Sequence, residues 1–244
     1  MIEVRDLRLS FDGKAVLTGI DLDILDNEIL VILGPSGQGK TVLIKSLVGL
    51  IQPDSGRIKY DDIDILGLNK KKFRKIQDRI AFVFQDNALL DFLDVRENLS
   101  LFLQMHTRLE ENEILNEVLR AIHFVGLEKS VLNKYTEELS GGMMKRVAIA
   151  RAIIKKPFYF FYDEPTAGLD ALNIERVADL VLRLKKRICA TAIIVTHDIQ
   201  FMHTVAERVA LLNNGRIEFV GKAGDLSDET LHQFYSTGAE NGLE

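Results

Sequence analysis

The stretch Gly34–Thr41, with the sequence GPSGQGKT, constrains the fold more than any other feature of this chain. It satisfies the pattern G-x-x-x-x-G-K-[ST] and follows the apolar run 29–33, which is typical of a strand buried on both faces. The residues after it have helical apolar spacing, for example at Leu43 and Leu47. A strand, a glycine-rich loop and a helix in this order predict a cradle for nucleotide phosphates, whereas the alternative is an ordinary glycine-rich turn.

Each part of this loop has a predicted contact with a nucleotide. Its backbone N–H groups are expected to converge on the α- and β-phosphates at the N-terminus of the helix. Lys40 is expected to reach the β- and γ-phosphate oxygens, and the Thr41 hydroxyl to bind Mg²⁺. The predicted nucleotide-binding residues of the stretch are Gly34, Pro35, Ser36, Gly37, Gln38, Gly39, Lys40, Thr41 and Val42.

An acidic pair, Asp163-Glu164, follows the apolar run 158–162. A buried strand there would carry both carboxylates to the edge at which α/β sheets bind ligands. Asp163 is then a candidate for the Mg²⁺ shell, and Glu164 for the base that polarises a water for in-line attack on the γ-phosphate. Acidic pairs after strands also cap helices, so the prediction gains its weight from the phosphate loop earlier in the chain.

Composition excludes several classes of protein. The 244 residues are 47% hydrophobic and 27% charged, which is typical of a folded protein with a sizeable core. The formal net charge of −5 argues against a nucleic-acid partner. No apolar run approaches the roughly 18–20 residues of a membrane-spanning helix, and the N-terminus lacks a secretory signal, so we expect an intracellular chain whose membrane spans, if needed, belong to a partner. The single cysteine, Cys189, lies in an apolar stretch and is predicted to be a packed core thiol.

The order of secondary-structure signals predicts an α/β chain with an insertion. Alternating runs at 2–9 and 16–24 predict an antiparallel hairpin, and later strand–helix–strand alternation predicts a parallel sheet. Between 87 and 155 helical periodicity takes over, and Thr107 with Glu110 has the spacing of a capping box. The predicted division within a single domain at 1–244 is a nucleotide-binding core at 1–86 and 156–222, a helical subdomain at 87–155 and a tail at 223–244.

Five motifs occur in order along the chain: the phosphate loop, Gln85, the Ser140-Gly141-Gly142 turn, Asp163-Glu164 and His197. Together they resemble the nucleotide-binding subunits of ATP-binding cassette (ABC) transporters, over nearly the whole chain. The resemblance implies a P-loop NTPase fold, with a RecA-like core, an antiparallel β subdomain and an inserted α-helical signature subdomain. It also implies ATP and Mg²⁺ as ligands, and a homodimer that powers an integral membrane permease at the cytoplasmic face of the inner membrane.

The resemblance implies a role for each further motif, beside which a plainer role stays open. Ser140, Gly141 and Gly142 are implied to contact the γ-phosphate bound by the other subunit, where the plainer role is an N-cap with a flexible turn. Gln85 is implied to sense Mg²⁺ and the attacking water, although a lone glutamine there is often only a polar strand end. His197 is implied to contact the γ-phosphate, although without the family match a structural histidine is favoured.

Two more residues and one segment take roles from the same resemblance. Phe11 matches the position whose ring stacks on adenine, although an aromatic residue near a turn could as easily belong to the core. Asp170 matches the loop at the dimer interface, and it is also placed to N-cap a helix. The segment 86–103 is implied to form a groove for an amphipathic helix of the permease. Its predicted apolar anchors are Phe92, Val95 and Phe102.

A narrower resemblance concerns the cargo. Met143 stands where ABC subunits commonly have glutamine, and the acidic motif belongs to the run 162–170, YDEPTAGLD. Together with KRVA at 145–148 and QFYSTG at 233–238, these features resemble the ATPases of Mla-type lipid transport systems. Those ATPases work with MCE-domain proteins and a permease, so the resemblance implies phospholipid as cargo and an MCE-type partner.

Three alternatives are open at this point. One is the ATPase of an importer for a polar solute. Another is a soluble ABC ATPase of DNA repair or translation, but those usually carry a long coiled coil or a second cassette. The third is a regulatory nucleotide-binding module without hydrolysis, which is disfavoured because Lys40, Asp163, Glu164 and His197 are all present.

Overall fold

The computed structural model describes residues 1–240, apart from the side chains of Ile188, Asp228 and 237–240. The end of the predicted tail, at 241–244, lies outside the described residues. The strands are β1 (Ile2–Phe11), β2 (Lys14–Ile24), β3 (Ile29–Leu33), β4 (Ser55–Tyr60), β5 (Ile63–Asp64), β6 (Ile80–Val83), β7 (Tyr159–Asp163), β8 (Thr191–Thr196), β9 (Arg208–Asn213) and β10 (Arg216–Lys222). The helices are α1 (Lys40–Leu47), α2 (Lys70–Gln77), α3 (Val95–His106), α4 (Glu111–Phe124), α5 (Gly141–Ile154), α6 (Ala171–Ile188), α7 (Ile199–Val205) and α8 (Asp228–Glu240).

The strands form two sheets. The smaller sheet is antiparallel and has the order β2-β1-β4-β5. The larger sheet has the order β10-β9-β3-β8-β7-β6, in which only the edge strand β10 is antiparallel to its neighbour. The α/β class with an antiparallel β subdomain and a parallel core sheet is thus confirmed, and so is the hairpin at the N-terminus.

Strand β3 is the centre of the hydrophobic core. All five of its residues are fully buried, as the apolar run predicted. Ile29, Val31 and Leu33 pack with helices α3 to α8, while Leu30 and Ile32 pack with α1 and the antiparallel sheet. Because burial of one such side chain stabilises the fold by about 1.5–3 kcal/mol, β3 is held firmly from both faces and gives the loop after it a rigid base.

The carboxyl ends of the parallel strands meet at one edge of the larger sheet. In the register of the sheet Leu33 pairs with Thr196, and Asp163 pairs with Val195. Strand β6 ends beside them at Val83. The phosphate loop, His197, Glu164 and Gln85 follow these four strand ends, so the topology gathers residues from distant parts of the sequence, as α/β sheets do at their ligand sites.

The elements between β6 and β7 are all helical. They are α3, α4, short 3₁₀ helices at Lys129–Asn133 and Thr136–Glu138, and α5. The capping box predicted at Thr107 and Glu110 is wrong: the Thr107 hydroxyl donates to the Leu103 carbonyl at the end of α3, and Glu110 itself caps α4 with Glu113. The division of the chain at 87 and 155 stays a prediction.

Cys189 is exposed, so its prediction as a core thiol is wrong. It follows α6 directly and has a φ of 49°, the left-handed conformation with which many helices end. The apolar residues around Cys189 suggested that it is buried, but the chain turns outward at this helix terminus. None of the described helices is long and apolar enough to span a membrane.

Candidate nucleotide-binding and catalytic site

A cleft of about 530 Å³ opens at the carboxyl edge of the larger sheet. Besides predicted site residues, Val16 and Ala167 line it; apolar residues of this kind carry no sequence signal for a site. The structure therefore brings together one strand end of the antiparallel sheet and four of the parallel sheet. The predicted site residues that line the cleft are Phe11, Ser36, Gly37, Gly39, Lys40, Thr41, Val42, Gln85, Glu164 and His197.

Two positions of the phosphate loop require glycine. Gly39 has a φ of 94°, which L side chains rarely adopt, and it lies at the N-cap of α1. A Cβ on Gly34 would lie 2.2 Å from the carbonyl oxygen of Leu212 on β9. The loop can therefore pack against β9 and enter α1 only with these glycines, which leaves the helix N-terminus open to the cleft.

Lys40 is buried at the first turn of α1. Its Nζ donates hydrogen bonds to the carbonyls of Gly34 and Pro35, at 2.8 and 2.9 Å, and lies 3.5 Å from Oε1 of Glu164. Burial lowers the pKa of Lys40, and the charge of Glu164 opposes that effect. The loop thus holds an ammonium group in the cleft, where it can contact anionic phosphate oxygens.

Thr41 and Asp163 form a pair suited to a magnesium ion. Oγ1 of Thr41 donates to Oδ1 of the buried Asp163 at 2.7 Å. Burial raises the pKa of Asp163, while the hydrogen bond from Thr41 opposes this. A hydroxyl and a carboxylate are hard oxygen ligands of the kind Mg²⁺ prefers, and Gln85 lines the same cleft. The described residues include no cluster of three or more His, Cys, Asp or Glu that could hold a metal ion.

Glu164 bridges Lys40 and His197. Its Oε2 lies 3.0 Å from Nδ1 of His197, while its Oε1 faces Lys40. Its φ is 44°, a left-handed conformation that costs a residue with a side chain about 1–2 kcal/mol. Its backbone N–H donates to the Val195 carbonyl at 2.9 Å, which helps hold this turn. Strain of this kind is characteristic of functional sites.

Residues 17–167, which include the phosphate loop, Gln85, Ser140 and Glu164, match the family model described as ABC transporter. The chain belongs to the ABC transporter family. It is an ABC ATPase, the subunit that binds ATP and hydrolyses it for transport. The fold and site described above are therefore those of an ABC ATPase.

Relatives named for different cargos are similar to this ABC ATPase to the same degree. The "Probable ribonucleotide transport ATP-binding protein mkl" of Mycobacterium leprae is 35% identical over 243 residues, covering 99% of this chain and 70% of the relative. The "Spermidine/putrescine import ATP-binding protein PotA" of Mesoplasma florum is 37% identical over 232 residues, covering 94% and 63%. The family is thus established, whereas these names differ in the cargo that they state.

Solved ABC structures match the fold closely. The dimeric cassette MJ0796, in a post-hydrolysis state with ADP and Pi, has a TM-score of 0.84 at 30% identity, covering 91% of this chain and 98% of that one. CbiO1 from Clostridium perfringens, described as part of the transporter complex CbiONQ, also has a TM-score of 0.84, at 32% identity, covering 95% and 92%. The two structures agree with the α/β fold of this ABC ATPase.

The Ser140-Gly141-Gly142 turn, called the signature turn below, lies at the N-terminus of α5 and does not line the cleft. Ser140 is the N-cap, and its Oγ accepts a hydrogen bond from the Met143 N–H at 3.3 Å. Ser140 and Gly141 are both exposed. The N-cap role is thus observed, and the first turn of α5 presents its N–H groups and the positive end of the helix dipole to a surface.

The start of α5 packs against the start of α6. A Cβ on Gly142 would lie 2.4 Å from side-chain atoms of Asn173, so a larger residue there would displace the Asn173 side chain. Asp170 N-caps α6 and accepts hydrogen bonds from both the backbone and the side chain of Asn173, which lower the pKa of Asp170. The signature turn and Asp170 therefore lie on the same side of the molecule, joined through Asn173.

Gln38 differs from the rest of the loop. It was predicted to bind the nucleotide, but its Oε1 accepts a hydrogen bond from the Asn214 N–H at 2.7 Å, and it does not line the cleft. Gln38 thus ties the loop to the turn between β9 and β10. No local sequence signal could have shown this, because the partner lies 176 residues away.

Proposed function

We propose that this ABC ATPase is the Mg²⁺-dependent motor subunit of a membrane transporter, and that it works as a homodimer. The observation that carries the proposal is the position of Glu164, whose two carboxylate oxygens lie beside Lys40 and His197 in the cleft. A base for in-line attack has to lie close to the γ-phosphate, and Lys40 is the residue that would contact that phosphate.

Each side chain of the cleft has its own role in binding or hydrolysis. The loop N–H groups and Lys40 bind the phosphates, and Phe11 offers its half-exposed ring to the adenine. Thr41, Asp163 and Gln85 would hold Mg²⁺, which neutralises charge on the phosphates when bound. Glu164 accepts a proton from the attacking water.

His197 orients this arrangement. It forms a hydrogen bond with Glu164 through Nδ1 and would contact a phosphate oxygen through Nε2. It thereby joins the base to the group that is attacked. This role explains why the histidine side chain is more than half exposed while its hydrogen-bond partner Glu164 is buried.

The signature turn completes the site of a second copy of the chain. Ser140 and Gly141 are exposed and do not line the cleft of their own chain. Helix N-termini bind phosphate, so α5 would serve a nucleotide held by the partner copy, with Asp170 at the interface. The similar MJ0796 cassette is described as dimeric, which supports this arrangement.

The permease would dock beside the loop that follows Gln85. Phe92 in this region is 76% exposed, which is unusual for an aromatic side chain and suits an apolar anchor. The prediction that Val95 is a second anchor is wrong, because Val95 is the first residue of α3 and is buried in the core. Phe102 is partly buried against the same core. We place the subunit at the cytoplasmic face of the inner membrane, held there by the permease.

The proposed cargo is phospholipid, carried with an MCE-domain partner. The support is the Mla-like set of Met143, the runs 145–148 and 162–170, and the QFYSTG sequence in α8. Phe234 of that sequence is buried in the same core cluster as α5. The second candidate is an importer for a polar solute, which is favoured by the names of relatives such as PotA and the sulfate/thiosulfate ATPase CysA of Pseudomonas putida.

Purification of the tagged chain from native membranes, followed by mass spectrometry of the intact complex, tests the cargo. An MCE-domain protein with bound phospholipid supports the lipid proposal. A solute-binding protein with a permease and no lipid overturns it in favour of the importer. The same purification from cells with a Phe92→Ala chain serves as the matched control, because companions that bind through the permease should be depleted.

A further inference from the structure

The loop 84–88, which follows β6 and contains Gln85, is held by cationic side chains of α5. Nζ of Lys145 donates to the carbonyl oxygens of Gln85 and Phe84, at 2.8 and 3.3 Å. The Gln85 residue thus extends from β6 into the cleft with its own carbonyl bound to α5. Lys145 lies one helical turn beyond the signature turn.

Arg151 holds the second half of the same loop. Its two terminal nitrogens donate to the carbonyls of Ala88 and Asn87, at 2.7 and 3.0 Å. Asn87 and Ala88 both have a positive φ, of 65° and 47°, so two consecutive residues other than glycine adopt the left-handed conformation, which is strained for alanine. The planar, forked guanidinium satisfies both carbonyls in this strained turn.

Lys145 is buried at this contact. Its side chain is only 1% exposed, and lysine is almost never fully buried without a specific partner. Burial lowers the pKa of Lys145 to about 8, and the charges of Asp86 and Asp163 oppose this effect. An apolar residue would fill the same space in α5 without the cost of burying a charge, but it could not bind the two loop carbonyls.

We propose that Lys145 and Arg151 are positioning residues that set the place of Gln85 in the nucleotide cleft. This inference rests on the proposed role of Gln85 as a Mg²⁺ ligand. Lys145 and Arg151 together are called the clamp below. Because α5 is one rigid helix, the clamp moves together with the signature turn at the N-terminus of that helix. When the signature turn contacts the nucleotide of the partner copy, the position of Gln85 in the same chain is therefore set at the same time.

Lys155 provides a matched control within the same helix region. It is a partly buried lysine at the other end of α5, and its Nζ donates to two backbone carbonyls, those of Gln77 and Ile80. These carbonyls lie near the amino end of β6, away from the cleft. A Lys155→Met variant therefore loses the same kind of bond without touching the loop 84–88.

The experiment measures metal affinity rather than turnover. Mn²⁺ replaces Mg²⁺, its binding to the ATP-loaded protein is followed by electron paramagnetic resonance, and ATP binding without metal is followed with a fluorescent ATP analogue. Lys145→Met is expected to weaken Mn²⁺ binding by about 10-fold, because loss of a group that orients a metal ligand typically costs about 10- to 100-fold in metal affinity. The affinity for ATP without metal should be unchanged. Lys155→Met should change neither affinity, and Lys145→Arg should restore most of the loss.

Gln85→Ala separates this inference from the proposed function. If it weakens Mn²⁺ binding and Lys145→Met adds nothing to it, the clamp acts through Gln85 as proposed. If it weakens Mn²⁺ binding and Lys145→Met alone does not, or if the two effects add, the clamp is overturned while the role of Gln85 stands. If Gln85→Ala has no effect, the role of Gln85 falls, and the clamp with it. Should Lys145→Met fail to fold, Lys145→Gln is measured with the same criteria.

Discussion

Nδ1 of His197 lies 3.0 Å from Oε2 of Glu164, although 33 residues separate the two in sequence. The contact exists because β7 and β8 are adjacent and parallel, so that the residues after their last paired positions emerge side by side. Since Lys40 faces the other oxygen of Glu164, the carboxylate is held from both sides. The catalytic proposal depends on this pair.

Glu164→Gln is expected to keep ATP binding and to slow turnover by on the order of 10²-fold or more, because a positioned general base is lost while the shape of the site is retained. The variant should accumulate as an ATP-bound dimer, measured by size-exclusion chromatography beside a steady-state ATPase assay. Glu111→Gln, an exposed change on α4, serves as the control. A persistent monomer with unchanged hydrolysis would contradict both the base role and the dimer.

Lys40→Ala is expected to abolish tight MgATP binding and hydrolysis, because it removes the one ammonium group that the phosphate loop holds in the cleft. Titration with a fluorescent ATP analogue measures the loss. Lys70→Ala, on the exposed start of α2, should bind like the wild type. Wild-type affinity in the Lys40 variant would overturn the assignment of the loop.

Phe11→Ala is expected to weaken ATP binding by about 10-fold, since stacking of a base on an aromatic ring contributes about 1–3 kcal/mol. Phe11→Tyr should retain the affinity, because stacking needs only a ring face. Inorganic tripolyphosphate has no base, so its own affinity, obtained by competition and corrected for the ATP affinity of each protein, should be equal in all three proteins. If tripolyphosphate loses as much affinity as ATP does, Phe11 supports the phosphate loop and does not stack on the adenine.

Ser140→Arg is expected to destroy hydrolysis without weakening ATP binding to the single chain, because the exposed N-terminus of α5 is proposed to serve the nucleotide of the partner copy and does not line the cleft of its own chain. Mixing with Lys40→Ala chains should give dimers with at most one chemically intact site. Binding to the monomer and dimer formation are measured separately. Loss of monomer binding with normal dimerisation would mean that the signature turn is misassigned.

Phe92→Ala and Arg96→Glu are each expected to loosen assembly with the permease while the ATPase activity of the isolated chain stays nearly unchanged. Reversal at Glu97 is a poorer test, because Glu97 and Asp94 form the capping box of α3 and its loss would disturb that helix. Co-purification measures assembly, with Leu182→Ala on the exposed side of α6 as the control. Undiminished assembly in both variants would place the permease elsewhere.

The sequence by itself determined the elements whose signals are local. The apolar run 29–33 predicted a strand buried on both faces, because a strand between two packed layers requires apolar residues at every position. The glycines after it predicted the loop, because a turn with positive φ favours glycine. Polar motifs at strand ends indicated where a ligand would bind, because in an α/β sheet the carboxyl ends share one edge.

Only the tertiary structure decided which side chains meet. Gln38 binds Asn214, Thr41 binds Asp163, and Lys145 binds the carbonyl of Gln85, all across long separations in sequence. Strand order and the packing of α5 on β6 create these contacts, and neither leaves a periodic pattern in the residues involved. The same reason explains why Val95 is buried and Cys189 exposed, contrary to their sequence surroundings: burial depends on what the rest of the chain places over a residue.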